Sequence, residues 1–340
     1  MSELENTDHT QESPENEDLN FTARTDLSGV KKLVTDIRNE IGKVIVGQHQ
    51  MVDLLVTALL ADGHVLIEGV PGVAKTLTTK LLAQVLDTGF SRIQFTPDLM
   101  PADVIGTSVF NPKETVFEFK KGPIFSNLVL IDEVNRSPAK TQAALFEAME
   151  ERQVSVDGTT YPLDAPFMVI ATQNPIEHEG TYRLPEAQLD RFLFKIEVPY
   201  PSLDDEINIL KGSYERGNKI DFSILEKVVS AEELAAQRAI VNKVHVKPEL
   251  LRYIAEIVQS TRNSSAISVG ASPRASVYLL KAAQAWAALQ GRDFVTPEDV
   301  KAIVGPTLRH RIILTPEKEM EGISPDQVIN ITIEKVEVPR

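Results

Sequence analysis

The chain has 340 residues, of which 42% are hydrophobic and 25% charged, so it is long enough for two folded domains with cores of ordinary composition. The absence of cysteine excludes disulfides, thiolate nucleophiles and cysteine zinc sites, and the six histidines are too scattered to suggest a metal cluster. The formal net charge of -14 disfavours nucleic acid as a partner, and the lack of a secretory signal or a long apolar run predicts a cytoplasmic protein with no transmembrane segment.

The first segment, residues 1–26, holds eight acidic side chains and one basic side chain, Arg24, with almost no apolar residues. Such a composition cannot bury enough apolar surface to offset the entropy lost on ordering, so we predict a disordered acidic tail. This tail carries half of the excess negative charge, which leaves the rest of the chain only mildly acidic. We interpret it as a solvating tail, with an interaction arm as the alternative.

Residues 27–200 alternate helical segments with short runs of β-branched and apolar residues at 65–67, 128–131 and 168–170. Near-continuous apolarity is typical of parallel strands that are buried on both faces, so we predict an α/β core. Two hairpins are predicted as insertions on this core, at 109–119 and 154–161, and Asp157-Gly158 is a type I′ turn signal in the second.

Residues 201–340 are predicted to form a separate helical domain, because strand signals nearly vanish and helix starts recur. Three starts have an N-cap residue followed three positions later by an acid: Ser202 with Asp205, Ser230 with Glu233, and Thr296 with Asp299. Alternation in residues 328–338 predicts a short strand near the C-terminus. We interpret His310, which lies between two arginines, as part of a solvated basic cluster.

A glycine-rich segment, GVPGVAKT at 69–76, stands between a predicted strand and a predicted helix. In that context backbone N–H groups and a helix N-terminus face phosphates, Lys75 adds positive charge near the β and γ groups, and Thr76 offers a hydroxyl to magnesium. Ala74 stands where glycine is usual, and the alternative is a simple strand-to-helix turn. The predicted nucleotide-binding residues here are Gly69, Val70, Pro71, Gly72, Val73, Ala74, Lys75, Thr76 and Leu77.

A second apolar strand, LVLIDE at 128–133, ends in two adjacent carboxylates, a Walker B pattern. We expect Asp132, with Thr76, to hold Mg²⁺ and Glu133 to orient the water that attacks the γ-phosphate. The alternative is a helix cap ahead of Arg136-Ser137-Pro138.

These motifs, with three that follow them, resemble the MoxR family of AAA+ ATPases over nearly everything after the acidic tail. They are GVPGVAKT (69–76), IDEVNRSP (131–138), ATQNP (171–175), LPEAQLDRF (184–192) and GASPRA (270–275). The resemblance implies an AAA+ P-loop NTPase core with a parallel sheet, followed by a C-terminal helical lid domain.

The resemblance also implies roles for three residues outside the two phosphate motifs. Asn174 is similar to sensor 1, an amide that contacts the γ-phosphate and the lytic water, with an asparagine-proline turn as the alternative. Arg191 is similar to the arginine finger that enters a neighbouring subunit's site, with a surface ion pair to Asp190 as the alternative. Arg274 is similar to sensor 2, acting within its own subunit or across the interface.

Two weaker resemblances concern the surroundings of the nucleotide. The segment 44–48, with Val46 and Gly47, is similar to the stretch that packs beside adenine in such ATPases. Thr96 is similar to the polar residue that holds the catalytic glutamate inactive before a partner binds.

The function implied by the resemblance is that of a chaperone-like ATPase, with ATP and Mg²⁺ as cofactors, that remodels, matures or assembles protein complexes. It would form a homo-oligomer, a hexameric ring, act on protein clients and have a partner with a von Willebrand A domain. Two alternatives remain open: an AAA+ nucleic-acid motor, and an ATP-dependent regulatory or chelatase-like subunit. The hairpins are poor in Lys and Arg, which disfavours the motor.

Overall fold

The structure, a computed structural model, describes residues 25–174, 182, 184–216 and 222–339, so nearly all of the predicted acidic tail lies outside the described residues. The helices in these ranges are α1 (Ser28–Gly42), α2 (His49–Leu60), α3 (Lys75–Val85), α4 (Pro101–Ile105), α5 (Ala139–Glu151), α6 (Glu186–Leu189), α7 (Leu203–Arg216), α8 (Ala231–Val241), α9 (Pro248–Asn263), α10 (Pro273–Leu289), α11 (Pro297–Leu308), α12 (Pro316–Met320) and α13 (Pro325–Glu334). The strands are β1 (His64–Gly69), β2 (Leu86–Asp87), β3 (Phe90–Gln94), β4 (Gly106–Asn111), β5 (Val116–Lys121), β6 (Leu128–Asp132), β7 (Gln153–Val156), β8 (Thr159–Pro162), β9 (Met168–Gln173), β10 (Phe192–Val198), β11 (Val229–Ser230), β12 (Ile267–Val269) and β13 (Ile313–Leu314).

The central sheet has five parallel strands in the order β10-β1-β9-β6-β3. The three apolar runs predicted as buried strands are confirmed as β1, β6 and β9, which lie side by side. Every residue of β6 is buried, because helices cover both faces of the sheet. Since the strands are parallel, the segments that follow β1, β6 and β9 meet at one edge of the sheet.

Both predicted hairpins are present. Strands β4 and β5 pair antiparallel from Gly106 opposite Lys121 to 111 opposite 116. In the second hairpin, β7–β8, Asp157 and Gly158 have φ values of 50° and 76°, as the predicted type I′ turn requires. The two hairpins contact each other, since the rings of Phe119 and Tyr161 stack with centroids 4.3 Å apart.

A helical lid follows the core, as predicted, and the domain limits at 26 and 200 stay sequence predictions. The acidic residue of each predicted helix start meets its N-cap: Ser202 Oγ donates to Asp205, and full capping boxes join Ser230 to Glu233 and Thr296 to Asp299. Helices α10 and α11 pack together, and α10 also packs on α2 of the core. Within the described ranges no helix has the length and apolar character of a bilayer crossing.

The predicted C-terminal strand is wrong, because residues 325–334 form α13. Ser324 caps this helix and exchanges hydrogen bonds with Gln327, and Pro325 occupies its first turn. The buried residues are Val328, Ile329, Thr332 and Ile333, a helical spacing that the apparent alternation concealed.

The interpretation of residues 309–311 as a solvated basic cluster is also wrong. His310 and Arg311 are each 8% exposed and reach into the core. His310 Nε2 lies 3.0 Å from the carbonyl oxygen of Phe192. Burial, and then the neighbouring Arg311, hold the pKa of His310 well below its ordinary value, so this imidazole is neutral.

Candidate functional site

The glycine-rich loop connects the end of β1 to the first residue of α3, Lys75, as the motif predicts. Gly72 and Ala74 both have left-handed backbone, with φ of 89° and 61°. Ala74 therefore adopts the conformation for which glycine is usual, and its methyl group is accommodated. A side chain at Gly69 would come 2.9 Å from the carbonyl oxygen of Val198, so a glycine is needed where the loop leaves the sheet.

The ammonium group of Lys75 lies at the carboxyl edge of the sheet. It donates to the carbonyl oxygen of Gly69, at the end of β1, and to that of Gln173, at the end of β9, at 3.4 Å. This position above the loop and beside the N-terminus of α3 is a suitable place for polyanionic phosphate.

Asp132 forms the centre of a network of side chains at the end of β6. Its Oδ1 accepts from the Thr76 hydroxyl at 3.0 Å and from the Thr172 hydroxyl at 3.2 Å, and its Oδ2 accepts from Arg92 Nε at 2.6 Å. The Asp132 side chain is 6% exposed, so these contacts compensate a buried charge.

The oxygens of Thr76 and Asp132 fit a magnesium ion. Mg²⁺ prefers oxygen donors and usually takes only one or two carboxylates from a protein, keeping water and phosphate oxygens as its other ligands. No group of three or more His, Asp and Glu side chains that could hold a metal occurs among the described residues. A hydroxyl and one carboxylate beside a phosphate loop match this chemistry.

Glu133 follows Asp132 with a left-handed backbone, φ 58° and ψ 53°, which turns it out of the strand. Its Oε2 accepts from Gln94 Nε2 at 3.0 Å and from Arg136 Nη1 at 2.8 Å, and its backbone N–H donates to the Thr172 hydroxyl. The carboxylate is therefore held in the structure, with 31% of the side chain still exposed.

The structure corrects the expectation for Thr96, because the polar residue that contacts Glu133 from β3 is Gln94. The hydroxyl of Thr96 instead bonds Asp98 and helps to lower the pKa of that carboxyl. Gln94 lies opposite Asp132 in the pairing of β3 with β6, which places it beside the next residue, Glu133. The sequence signal is the alternation Arg92–Gln94, which puts both side chains on one face of the strand.

Asn174 directly follows β9 and is 9% exposed. Because β9 lies between β1 and β6, this amide is at the same sheet edge as Lys75 and Asp132. Its expected proline neighbour, residue 175, lies outside the described residues. The position agrees with a sensor 1 role, which stays a prediction.

Arg191 and Arg274 lie together on Glu150, near the end of α5. Arg191 Nε donates to Glu150 Oε2 at 3.1 Å, and Arg274 Nη2 donates to Glu150 Oε1 at 2.6 Å. Arg191 also donates to the Ala187 carbonyl. Among the described residues Asp190 forms ion pairs with Arg311, at 2.8 Å, and with Arg274, at 4.0 Å, so the alternative pairing of Arg191 with Asp190 does not occur there. Within the described ranges, the side chains of these two arginines make their hydrogen bonds and ion pairs with Glu150, Ala187 and Asp190 and not with the glycine-rich loop.

A cavity of about 790 Å³ adjoins the loop at Gly69 and Val70, a size within the usual range for ligand pockets. Lid and core both line it. The remaining lining residues are Gln48, His49, Gln50, Met51, Leu54, Glu68, Ile196, Glu197, Val198, Pro199, Tyr200, Pro201, Ser202, Asp205, Pro306 and Arg309. The segment predicted to pack beside adenine thus contributes through Gln48, while Val46 and Gly47 stand just before the lining.

Gly47 has φ of 69°, and a side chain there would come 2.9 Å from the Asp205 carboxyl carbon, so the segment needs a glycine at this point. Tyr200, Pro306 and Arg309 could not be predicted as lining residues, since they come from distant segments that only the fold brings to the loop.

Comparison with known proteins agrees with this geometry. Residues 64–194 match the family described as "ATPase family associated with various cellular activities (AAA)", and residues 259–331 match "AAA lid domain". An uncharacterized protein, YeaC, of Bacillus subtilis is 48% identical over 299 residues, which span 88% of this chain and 92% of that one.

"Chaperone MoxR1" of Mycobacterium tuberculosis is 45% identical over 310 residues, which span 88% of this chain and 81% of that one. A crystal structure of a protein from Cytophaga hutchinsonii superposes with a TM-score of 0.84 at 45% identity and covers 91% of this chain and 96% of its own. With a parallel five-stranded sheet, a glycine-rich loop and a helical lid in this order, the chain belongs to the MoxR family of AAA+ ATPases.

Proposed function

We propose that this protein binds ATP with Mg²⁺ at the glycine-rich loop, hydrolyses it at interfaces between the subunits of a hexameric ring, and uses the energy to remodel, mature or assemble protein complexes. The observation that carries the proposal is the meeting of Lys75, Thr76, Asp132 and Glu133 at one edge of the sheet. There the Thr76 hydroxyl is 3.0 Å from Asp132, and the carboxylate of the next residue, Glu133, accepts from Gln94 and Arg136.

In the proposed mechanism each side chain exchanges a contact in the structure for one with substrate. Lys75 releases the carbonyls of Gly69 and Gln173 and donates to phosphate oxygens. Mg²⁺ held by Thr76 and Asp132 would supply positive charge against the β and γ oxygens. Glu133 leaves Gln94 and Arg136 and orients the attacking water, with Asn174 as the amide on the other side of that water.

Arg191 completes the site of the next subunit in this proposal, and Arg274 accompanies it. Both head groups pair with the partly exposed carboxylate of Glu150, and Arg191 has the Ala187 carbonyl and Arg274 the more distant Asp190 as a second partner, so a phosphate anion can compete for them. An arginine finger contributes about 10³ to 10⁵ in rate, roughly 4 to 7 kcal/mol, which an isolated subunit would lack. Turnover should therefore depend on assembly.

The exposed aromatic end of the β4–β5 hairpin supports the proposal that the clients are proteins. Phe110 and Phe117 are 48% and 74% exposed at its end and contact each other with ring centroids 5.3 Å apart. The formal charges of the two hairpins cancel, with three lysines and two glutamates on the first and one aspartate on the second. An apolar, nearly neutral tip suits a protein surface, including a von Willebrand A domain partner, better than a phosphate backbone.

The first experiment measures ATP binding and phosphate release separately in purified variants. Lys75→Ala should lose ATP binding, and Glu133→Gln should bind ATP with magnesium at wild-type affinity while phosphate release stops. Lys140→Ala, which changes an exposed lysine at the start of α5, is the matched control and should behave as wild type. Wild-type turnover in either site variant would refute the assignment of the site.

The second experiment separates a protein remodeller from the alternatives. Glu133→Gln with ATP should retain client proteins that the Phe110→Ser, Phe117→Ser double variant of the same protein does not retain. A mobility shift with single- and double-stranded DNA at physiological salt tests the motor. Tight DNA binding at physiological salt would favour the nucleic-acid motor. Full activity on client proteins without ATP turnover would favour the ATP-dependent regulatory subunit.

A further inference from the structure

Arg311 is a lid residue whose guanidinium reaches the segment 190–193 of the core, next to Arg191. All five of its N–H donors are used. Nε donates to Asp190 Oδ1 at 2.8 Å, Nη2 to the Asp190 carbonyl at 3.0 Å and also to the Phe192 carbonyl, and Nη1 to the Leu193 carbonyl at 3.2 Å. The remaining acceptor is the carbonyl of Thr307, in the lid. Four of the five acceptors thus belong to a segment of four residues.

Three other lid side chains hold the same segment. Ser272 Oγ donates to Asp190 Oδ2 at 3.1 Å, and His310 Nε2 donates to the Phe192 carbonyl at 3.0 Å. The Tyr278 hydroxyl lies 3.5 Å from the carbonyl of Arg191 itself, and its ring lies under the Arg311 guanidinium, 4.9 Å from the centroid. The backbone on both sides of Arg191 is therefore fixed to the lid.

The environment of Arg311 shows that these contacts are needed together. Its side chain is 1% exposed, and a charge removed from water is strongly unfavourable unless it is paired and hydrogen-bonded. Burial lowers the pKa of Arg311 to about 10, with Asp190 opposing that shift, so the group is protonated at neutral pH. A shorter or uncharged side chain would remove the donors that Arg311 supplies to the carbonyl groups of Asp190, Leu193 and Thr307, while the Phe192 carbonyl would keep its bond from His310.

The head group of Arg191 is held quite differently from its backbone. Its guanidinium is 27% exposed and rests on Glu150 and the Ala187 carbonyl. Arg191 thus combines a backbone fixed by the lid with a side chain that can exchange its partner.

We propose that Arg311 is a positioning residue for the arginine finger, one that couples the placement of the lid to the geometry in which Arg191 is presented to the neighbouring subunit. The proposal rests on the proposed function, in which Arg191 acts across the interface. Arg311 touches neither nucleotide nor metal in this scheme, and acts through Asp190 and the carbonyls beside Arg191.

The same short lid segment also lines the cavity that adjoins the glycine-rich loop. Arg309, two residues before Arg311, lines that cavity together with Pro306. In the proposed function, a lid that shifts over a nucleotide in that cavity would also shift the anchor of the finger that serves the next subunit. The occupancy of one site would then be connected to catalysis at its neighbour.

The test uses mixed rings, which report whether a defect lies in the donated finger or in the subunit's own site. Arg311→Gln should lower turnover by about 10-fold to 100-fold, the loss expected from a misplaced catalytic group, while ATP affinity stays at the wild-type value. Mixed with Glu133→Gln, which donates an intact finger but has no active site of its own, it should recover turnover well above the sum of the separate proteins. Mixed with Arg191→Ala, it should recover nothing.

Recovery with Arg191→Ala and not with Glu133→Gln would overturn the proposal, because it would place the defect in the subunit's own site. Arg311→Lys, which keeps a charge beside Asp190 but loses the fork of donors, should give the same pairing pattern with a smaller loss, provided that size-exclusion chromatography shows normal assembly. Equal loss of turnover in every mixture, with assembly intact, would also overturn it.

Arg292→Gln is the matched control. This lid arginine also pairs with a buried carboxylate, that of Asp299, but its contacts stay within the lid, so turnover should remain near wild type. Mixing Arg191→Ala with Glu133→Gln tests the proposed function independently. If that mixture shows no recovery, action across the interface is refuted, whatever the Arg311 variants do.

Discussion

Acidification should destabilise the core through one histidine, His64, at the start of β1. Its side chain is buried beside Phe167, Nδ1 accepts from the backbone N–H of Val169 at 2.9 Å, and Nε2 lies 3.2 Å from the Met149 carbonyl. Burial, and then the nearby positive charge of Arg152, lower the pKa of His64 to about 3.

The direction in which pH changes the stability follows from the protonation of His64 in the folded and unfolded states. In the unfolded chain the imidazole titrates at its ordinary pKa of about 6.5, so the unfolded state binds a proton that the folded state excludes. The stability due to the neutral ring is complete above about pH 6.5 and is lost as the pH falls towards 3. The whole shift corresponds to about 5 kcal/mol, of which roughly 2 kcal/mol is lost by about pH 5.

The assay is urea unfolding of the wild type and of His64→Gln at several pH values between neutral and about pH 5. Glutamine supplies a donor and an acceptor but takes up no proton, so the variant should lose less stability on acidification, although it is less stable at neutral pH. His245→Gln, at an exposed histidine, is the control and should follow the wild type. Equal pH dependence in His64→Gln and wild type would refute the reasoning.

Three further predictions concern the loop, the metal site and the first hairpin. Arg92→Gln removes the partly exposed ion pair to Asp132, which is worth about 0.2 to 1 kcal/mol. The magnesium concentration for half-maximal turnover should therefore fall by up to about fivefold. A magnesium titration that shows a higher requirement would contradict this. Ala74→Gly should keep ATP affinity within about twofold of the wild-type value, because glycine adopts positive φ readily. Ala74→Val should abolish ATP binding, since β-branched residues tolerate positive φ poorly. Tight ATP binding by the valine variant would count against the left-handed backbone at this position. Gly106→Ala places a methyl group 2.2 Å from the Lys120 carbonyl oxygen, so amide hydrogen exchange in the β4–β5 hairpin should become faster. Unchanged protection of these amides would show that the hairpin does not require a glycine at this position.

Much of the site could be predicted because its residues are local to their strands. The loop follows β1 and the two acids end β6, and parallel strands bring both to one edge of the sheet. Lys75, Thr76 and Asp132 therefore meet for reasons that a single sequence shows. The short hairpin turn at Asp157-Gly158 was predictable for the same reason, since its chemistry is contained in two adjacent residues.

Contacts between distant segments could not be predicted. That Gln94 rather than Thr96 meets Glu133 depends on the register of β3 against β6, which no short-range pattern specifies. The burial of Arg311 depends on carbonyl groups of 190–193 that lie far away in the sequence, so three consecutive basic residues were interpreted as a surface cluster.

Strand β3, at the edge of the central sheet, carries both Arg92 and Gln94, whose side chains reach Asp132 and Glu133. An edge strand is bonded to one neighbour, so it can slide or tilt at the expense of a single ladder of hydrogen bonds. The chain leaves it through residues 95–105 and continues directly into the hairpin with the exposed phenylalanines. The single ladder that joins β3 to β6 therefore supports the contacts of both acids, and a shift of β3 would separate Arg92 from Asp132 and Gln94 from Glu133 in the same movement.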